Sequence, residues 1–167
     1  MAVLPEIRTR RLILRRFREA DLPSVLEVQA DPAAHPFDEA PAPGAARMLF
    51  SLWQRHWAEH GFGYVAVVEI ATGKLIGLGG VQVKDLHGEP VLNLYYRFRP
   101  SAWGKGYAPE MALPIVEWAE REIPGRPVVI VTNSRNTPAQ RVAEKLGFRK
   151  WKDDLYEGVP AAYYRRG

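Results

Sequence analysis

Two glycines around a lysine, Gly104-Lys105-Gly106, stand between a run with strand character and a run with helix character. A helix that starts straight out of such a loop offers unpartnered backbone N–H groups and the positive end of its dipole, which together attract phosphate. Glycine lets an anion approach the backbone with no Cβ in the way. Arg97, Arg99 and Lys105 add positive charge nearby. Taken alone, a G-x-G is a weak signal, and ordinary turn chemistry explains it equally well. The loop is neither a G-x-x-x-x-G-K-[ST] phosphate loop nor a dinucleotide fingerprint, which needs a third glycine in register.

Thirty residues after Gly106 comes Asn136-Thr-Pro-Ala139, and the segment ends in Leu146-Gly-Phe148. In isolation Asn136 reads as a helix N-cap with Pro138 in the first turn. A third pattern, His56-Trp-Ala-Glu-His60, matches the H-x-x-E-H of zinc hydrolases. A zinc site needs a further ligand, which nothing identifies, and histidines near a helix C-terminus are favourable for their own sake. No metal is expected. A basic stretch holds Arg8, Arg10, Arg11, Arg15, Arg16 and Arg18. It reads as the solvated face of an early strand, and no recognition helix or aromatic-basic motif accompanies it, so nucleic acid is not an expected partner.

The elements that must position these residues follow from hydrophobic period. Residues 11–17 read as a strand, and Asp21, as N-cap, opens a helix to about Ala30. Asp31 to Gly44 holds four prolines and no periodicity, and is a loop. A helix from Ala45 to His60 carries Met48, Leu49, Leu52, Trp53 and Trp57 on one face, with Gly61 ending it. Period two then takes over in 63–70, 75–83 and 91–99, with turns at Ala71–Lys74 and Asp85–Pro90: an antiparallel meander. A helix follows with Ala108, Met111, Ala112, Ile115, Val116 and Ala119 on one stripe, bent at Pro114. The β-branched run within 127–132 makes a parallel strand by a right-handed crossover. The Asn136 helix and strands at 148–153 and 161–165 complete one α+β domain over residues 1–167, with a mixed central sheet.

Composition agrees. The chain has 167 residues, 47% apolar and 25% charged, with a net charge of +4. That suits a globular core that needs no staples. It has no cysteine, which excludes disulfides, thiolate metal sites and cysteine nucleophiles. The longest strictly apolar run is about five residues, against roughly 18 for a membrane span. The N-terminal stretch lacks a signal-peptide core, so a soluble, cytoplasmic protein without membrane partners is expected.

Taken in order, Trp103-Gly-Lys-Gly-Tyr-Ala108 and Asn136…Lys145-Leu-Gly-Phe148 resemble the GNAT superfamily of N-acetyltransferases. They are most similar to its ribosomal-protein-alanine acetyltransferase branch. Thr9-Arg-Arg-Leu-Ile-Leu-Arg-Arg16 and Ile76-Gly-Leu-Gly-Gly80 extend the likeness over nearly the whole chain. The resemblance implies a GNAT fold with acetyl-CoA as cosubstrate. The pyrophosphate would rest on the N–H groups of Gly104, Lys105, Gly106, Tyr107 and Ala108. A strand splayed from its parallel neighbour would offer its backbone, around Tyr96, Phe98 and Arg99, to the pantetheine arm. Asn136 would reach that arm as well, and Arg141 is either an adenosine contact or a solvated helix arginine. The acceptor would be a small-molecule amine or a protein N-terminus, and a homodimer follows the family's habit.

Three positions depart from the family's usual choices. Ala143 stands where many relatives have a tyrosine general acid, Ala139 where this branch often has serine, and Asn93 where the strand often supplies glutamate. The catalytic acid and base are therefore unassigned, with water, Asp38, Glu39 or a C-terminal tyrosine as open alternatives for the base. Phe37, Trp53, Trp57, Tyr95 and Tyr96 either line an acceptor pocket or pack in the core. The same departures leave a non-catalytic acyl-CoA-binding module as the alternative to an enzyme.

Overall fold

The computed structural model describes residues 2–167. Eight strands form one sheet: β1 (Ile7–Arg8), β2 (Leu12–Arg15), β3 (Tyr64–Glu69), β4 (Leu75–Leu86), β5 (Glu89–Phe98), β6 (Val128–Asn133), β7 (Arg149–Tyr156) and β8 (Val159–Arg165). Four helices accompany them: α1 (Leu22–Gln29), α2 (Pro43–His60), α3 (Tyr107–Glu122) and α4 (Thr137–Lys145). The spatial order is β1-β2-β3-β4-β5-β6-β8-β7, antiparallel throughout except for β5 with β6. This is the mixed α+β sheet with one parallel pair that the periodicity predicts.

Alternation along the strands divides the core between two faces. Val65 and Val67 of β3, with Leu92 and Leu94 of β5, pack against Met111 and Ile115 of α3. Ala66, Val68 and Leu78 face the other way, toward Val25 and Val28 of α1 and Phe50 and Trp53 of α2. The sheet thus separates α3 and α4 from α1 and α2.

Several local expectations are corrected. Asp21 does not cap α1: its backbone is already helical and its side chain makes no cap bond. A short 3-10 turn at Glu19–Asp21 precedes the helix, and the Asp21 carboxylate accepts the Arg18 N–H at 2.7 Å and both Arg15 Nη groups at 2.8 and 2.9 Å. Arg15 is accordingly no solvated arginine. On α2 the buried stripe is Ala46, Phe50, Trp53 and Trp57, whereas Met48 and Leu52 are exposed. Their apolarity fits the helical period, but the sheet lies under the neighbouring stripe. The β4–β5 turn is tighter than the expected 85–90 loop, because His87 and Gly88 both take positive φ and both strands run longer. Glu157 and Gly158 do the same between β7 and β8. α3 runs unbroken through Pro114.

Candidate active site

β5 and β6 are paired only at Leu92–Val128 and Asn93–Val129. Beyond Asn93, β5 stays on β4 through Phe98, while β6 follows β8 through Asn133. A V-shaped gap opens between the two parallel strands. Which backbone groups face it follows from alternation: Arg99 donates its N–H to Ile76 on the β4 side, and Leu92 donates to Pro127 on the other. The N–H and carbonyl groups of Tyr96 and the N–H of Phe98 therefore point into the gap.

β4 is shaped for this divergence. Gly79 and Gly80 take φ of 154° and 138° opposite Tyr96 and Tyr95. A Cβ on Gly79 would overlap the Tyr95 carbonyl oxygen and stand 2.6 Å from the Tyr96 Cα.

At the end of β5 the chain turns through Pro100–Ala102 and reaches Gly104 and Gly106, both left-handed with φ of 73° and 79°. Gly106 is the N-cap of α3 and brings no side chain to cap it. Among the described residues, no carbonyl accepts the N–H groups of Gly104, Lys105, Gly106, Tyr107 or Ala108. The sequence-predicted loop is thus assembled as a row of free donors at the positive end of a 16-residue helix. A glycine-lined row of donors of this kind is chemically suited to an anion such as a phosphate.

The helix start is held from below. Tyr107 is buried, its ring 6.4 Å from that of Phe98, and its hydroxyl donates to Glu69 at 2.5 Å. That bond raises the Tyr107 pKa and lowers that of Glu69. Glu110, in the first turn, accepts from the Thr9 hydroxyl at 2.6 Å, the Arg11 N–H at 2.9 Å and Arg11 Nε at 2.7 Å. Burial acts to raise its pKa, but these donors prevail and hold it below the ordinary value. Arg11 and Glu110 were invisible as partners in the sequence; a carboxylate in the first turn of α3 was the only local signal.

Other predicted residues fall differently. Asn136 Oδ1 accepts the Ala139 N–H at 3.1 Å, so the cap is real, and its Nδ2 group has no partner among the described residues. Arg141 is exposed on α4. Arg99 turns away from the gap: its Nε donates to the Leu75 carbonyl at 2.8 Å and its Nη1 pairs with Glu27 of α1 at 2.7 Å. With Lys105, Arg15 and Lys74 it lines a cavity of about 740 Å³ between α1, the β3–β4 hairpin and the loop.

On the α1–α2 face, Asn93, Tyr95 and Arg97 follow one another along β5. Arg97 donates to the Ala34 carbonyl at 2.7 Å and pairs with Asp38 at 3.0 Å, while His35 Nδ1 lies 3.0 Å from the same carboxylate. The Tyr95 hydroxyl donates to Gln29, and Asn133 Nδ2 donates to the Phe37 carbonyl. The loop between α1 and α2 is thereby laid across the mouth of the gap. Tyr64 packs between Trp53 and Tyr95, and burial pushes its hydroxyl far above the ordinary range despite the Asn93 side chain nearby. Burial raises Tyr96 to about 12. The C-terminal tyrosines are donors: Tyr163 to the Leu155 carbonyl and Tyr164 to Gln140, with both pKa values raised by burial. Burial thus works against the charged form of Tyr64, Tyr96, Tyr163 and Tyr164. Ala143 is fully buried in the core.

His56 is a structural bridge. Its Nδ1 lies 2.8 Å from the Phe62 carbonyl and its Nε2 accepts the Val83 N–H at 3.0 Å, a neutral tautomer that burial favours by lowering the pKa. Both ring nitrogens are occupied, so the helix pattern carries no ligand pair.

A mixed sheet with a splayed parallel pair, and a glycine-lined helix start at the end of its first strand, define an acyltransferase-type fold. The profile described as Acetyltransferase (GNAT) domain matches residues 11–149, and the chain belongs to that family of acetyltransferases. A Bacillus subtilis relative named YkkB, uncharacterised, is 26% identical over 113 residues, 68% of this chain. The match spans 66% of that protein, just under two thirds of its length. Among solved structures, an acetyltransferase from Agrobacterium tumefaciens superposes with a TM-score of 0.86 at 24% identity, covering 100% of this chain and 96% of that one. A ribosomal-protein-alanine acetyltransferase from Vibrio fischeri gives 0.76 at 17% identity, over 97% and 96%.

Proposed function

We propose that this protein is an acetyl-CoA-dependent N-acetyltransferase acting on a primary amine, either a small molecule or a protein N-terminus. The observation that carries this reading is the row of free N–H donors from Gly104 to Ala108, continuous with the open β5 edge at Tyr96 and Phe98. The first fits a pyrophosphate and the second a peptide-like pantetheine arm. Acetyl-CoA brings the activated thioester; the chain supplies the rest. Asn136 Nδ2 is free to donate to the arm while its oxygen caps α4. The carbonyl carbon gains a bond to nitrogen and loses its bond to sulfur, so the amine must shed one proton and the thiolate must gain one.

Asp38 is already paired with Arg97 and His35, and Asn93 can hold a water but cannot act as an ordinary base. Water held at Asn93 is the route we favour for the amine proton. Alignment of the two reactants in the gap then supplies most of the rate enhancement. The reading places the protein in the cytoplasm; no described helix is long and apolar enough to cross a membrane.

An acetyl-transfer assay with a panel of polyamines, arylamines and N-terminal peptides tests the proposal. Thiol release that depends on both acetyl-CoA and one class of amine supports it. Tight CoA binding with no transfer to any class would favour a non-catalytic acyl-CoA-binding module, the reading that the alanines at 139 and 143 motivate.

A further inference from the structure

Arg11 is separated from α3 by about a hundred residues, yet the fold brings it to the start of that helix. Its backbone N–H and its Nε both go to Glu110. Its guanidinium carbon lies 4.2 Å from the centre of the Tyr107 ring, and the side chain is 38% exposed. One Nη lies 3.7 Å from where a Cβ of Gly106 would stand. Neither Nη group has an acceptor among the described residues.

A guanidinium is always charged and presents its donors in a rigid fork. Here one edge of the fork is fixed by Glu110 and the plane is fixed by Tyr107, so the remaining edge has little freedom left to lose. That edge faces the phosphate loop. Glu110 by itself would oppose an anion at the helix start, and Arg11 cancels that charge while leaving its own Nη donors free.

We infer that Arg11 is a further donor-binding residue: its Nη groups bond to a phosphate oxygen of the acyl-CoA pyrophosphate resting on the Gly104–Ala108 loop. This rests on the donor-site reading above and adds to it a side chain from outside the loop. It also gives Thr9 and Glu110 a purpose, as the pair that aims the guanidinium.

Calorimetric titration of CoA at several salt concentrations, into wild type and Arg11→Gln, tests the inference. We expect the variant to bind roughly ten-fold or more weakly at low salt. Its affinity should also fall less steeply with salt, because one fewer charge is screened. A purely structural loss would shift affinity at every salt concentration alike. Arg11→Lys, which keeps the charge, should keep the salt slope. Arg11→Met, with an apolar stem over Tyr107, serves for the same comparison should the glutamine variant fail to fold. Unchanged affinity, or a loss with the wild-type salt slope, overturns the role of Arg11 and leaves the donor site standing. No binding of CoA to wild type overturns the donor site and this role with it.

Discussion

The Arg97 guanidinium on β5 lies 3.0 Å from the Asp38 carboxylate in the α1–α2 loop, and through this pair the strand of the proposed donor site holds the loop that carries Phe37, a candidate to line the acceptor pocket. Its Nη1, which also reaches Asp38, donates to the Ala34 carbonyl, the last residue of the same segment's short 3-10 turn. Because Asp38 is half exposed, the pair adds under about 1 kcal/mol to stability. Arg97→Ala also strips the buried Ala34 carbonyl and the Tyr95 hydroxyl of their donor, so it should lower stability by about 1–3 kcal/mol while freeing the loop. We expect acceptor KM to rise several-fold with donor KM unmoved, and faster limited proteolysis within residues 31–44. Equal changes in both KM values would place the loop elsewhere in the reaction.

Asn136 separates capping from ligand contact. Asn136→Ala removes the cap and should cost about 1 kcal/mol. Asn136→Ser keeps a cap oxygen but loses the amide donor. It should melt close to wild type and yet show a weakened affinity for CoA, by roughly ten-fold. A serine variant that binds as wild type does would reduce Asn136 to a helix cap.

The Gly79 position is the most demanding in the sheet. A side chain there meets the β5 backbone and must also adopt an unfavourable φ. Gly79→Ala should cost about 3 kcal/mol or more, visible in chemical denaturation. Gly44→Ala, with nothing within 4 Å, is the control that should be near neutral.

Acid stability should report Asp21 and Glu110. Burial works against the Asp21 charge, but bonds from Arg15 and the Arg18 N–H outweigh it and lower its pKa. Glu110 is lowered by Thr9 and Arg11 in the same way. A depressed folded pKa gives stability that is fully present above the unfolded value, near 4, and is lost as pH falls through the folded value. Asp21→Asn should flatten the fall in stability below about pH 5 and lower stability at pH 7 by about 2–3 kcal/mol, because it leaves Arg15 half buried and unpaired. Denaturation curves between pH 3 and pH 7 measure both.

Much of this architecture was legible in the sequence, and the rest was not for identifiable reasons. The change from period two to period 3.6 at Gly106 placed the strand, loop and helix correctly, because each residue's neighbours in sequence are also its neighbours in space there. The Ile76–Gly80 glycines were legible only as a motif; their cause, the close approach of β5, is a contact between strands. Asp21 has the sequence appearance of a cap, yet a stronger partner, Arg15, arrives from the preceding strand and takes its carboxylate. Arg11 reads as a solvated arginine for the same reason, since Glu110 lies 99 residues away. On α2, Met48 and Leu52 fit the helical period, but periodicity alone does not tell which of two overlapping stripes the sheet will cover.

Donor binding at the start of α3 underlies the proposed function. Calorimetric titration of acetyl-CoA and CoA into wild type and Gly106→Glu tests it most directly, because the variant puts a carboxylate among the free N–H groups. At this left-handed position the substitution also strains the loop, so the variant's circular dichroism and melting curve are recorded beside the titration. Micromolar binding to wild type, lost in a folded variant, is the expected result. Absence of binding to wild type, or equal binding by a folded variant, would contradict it.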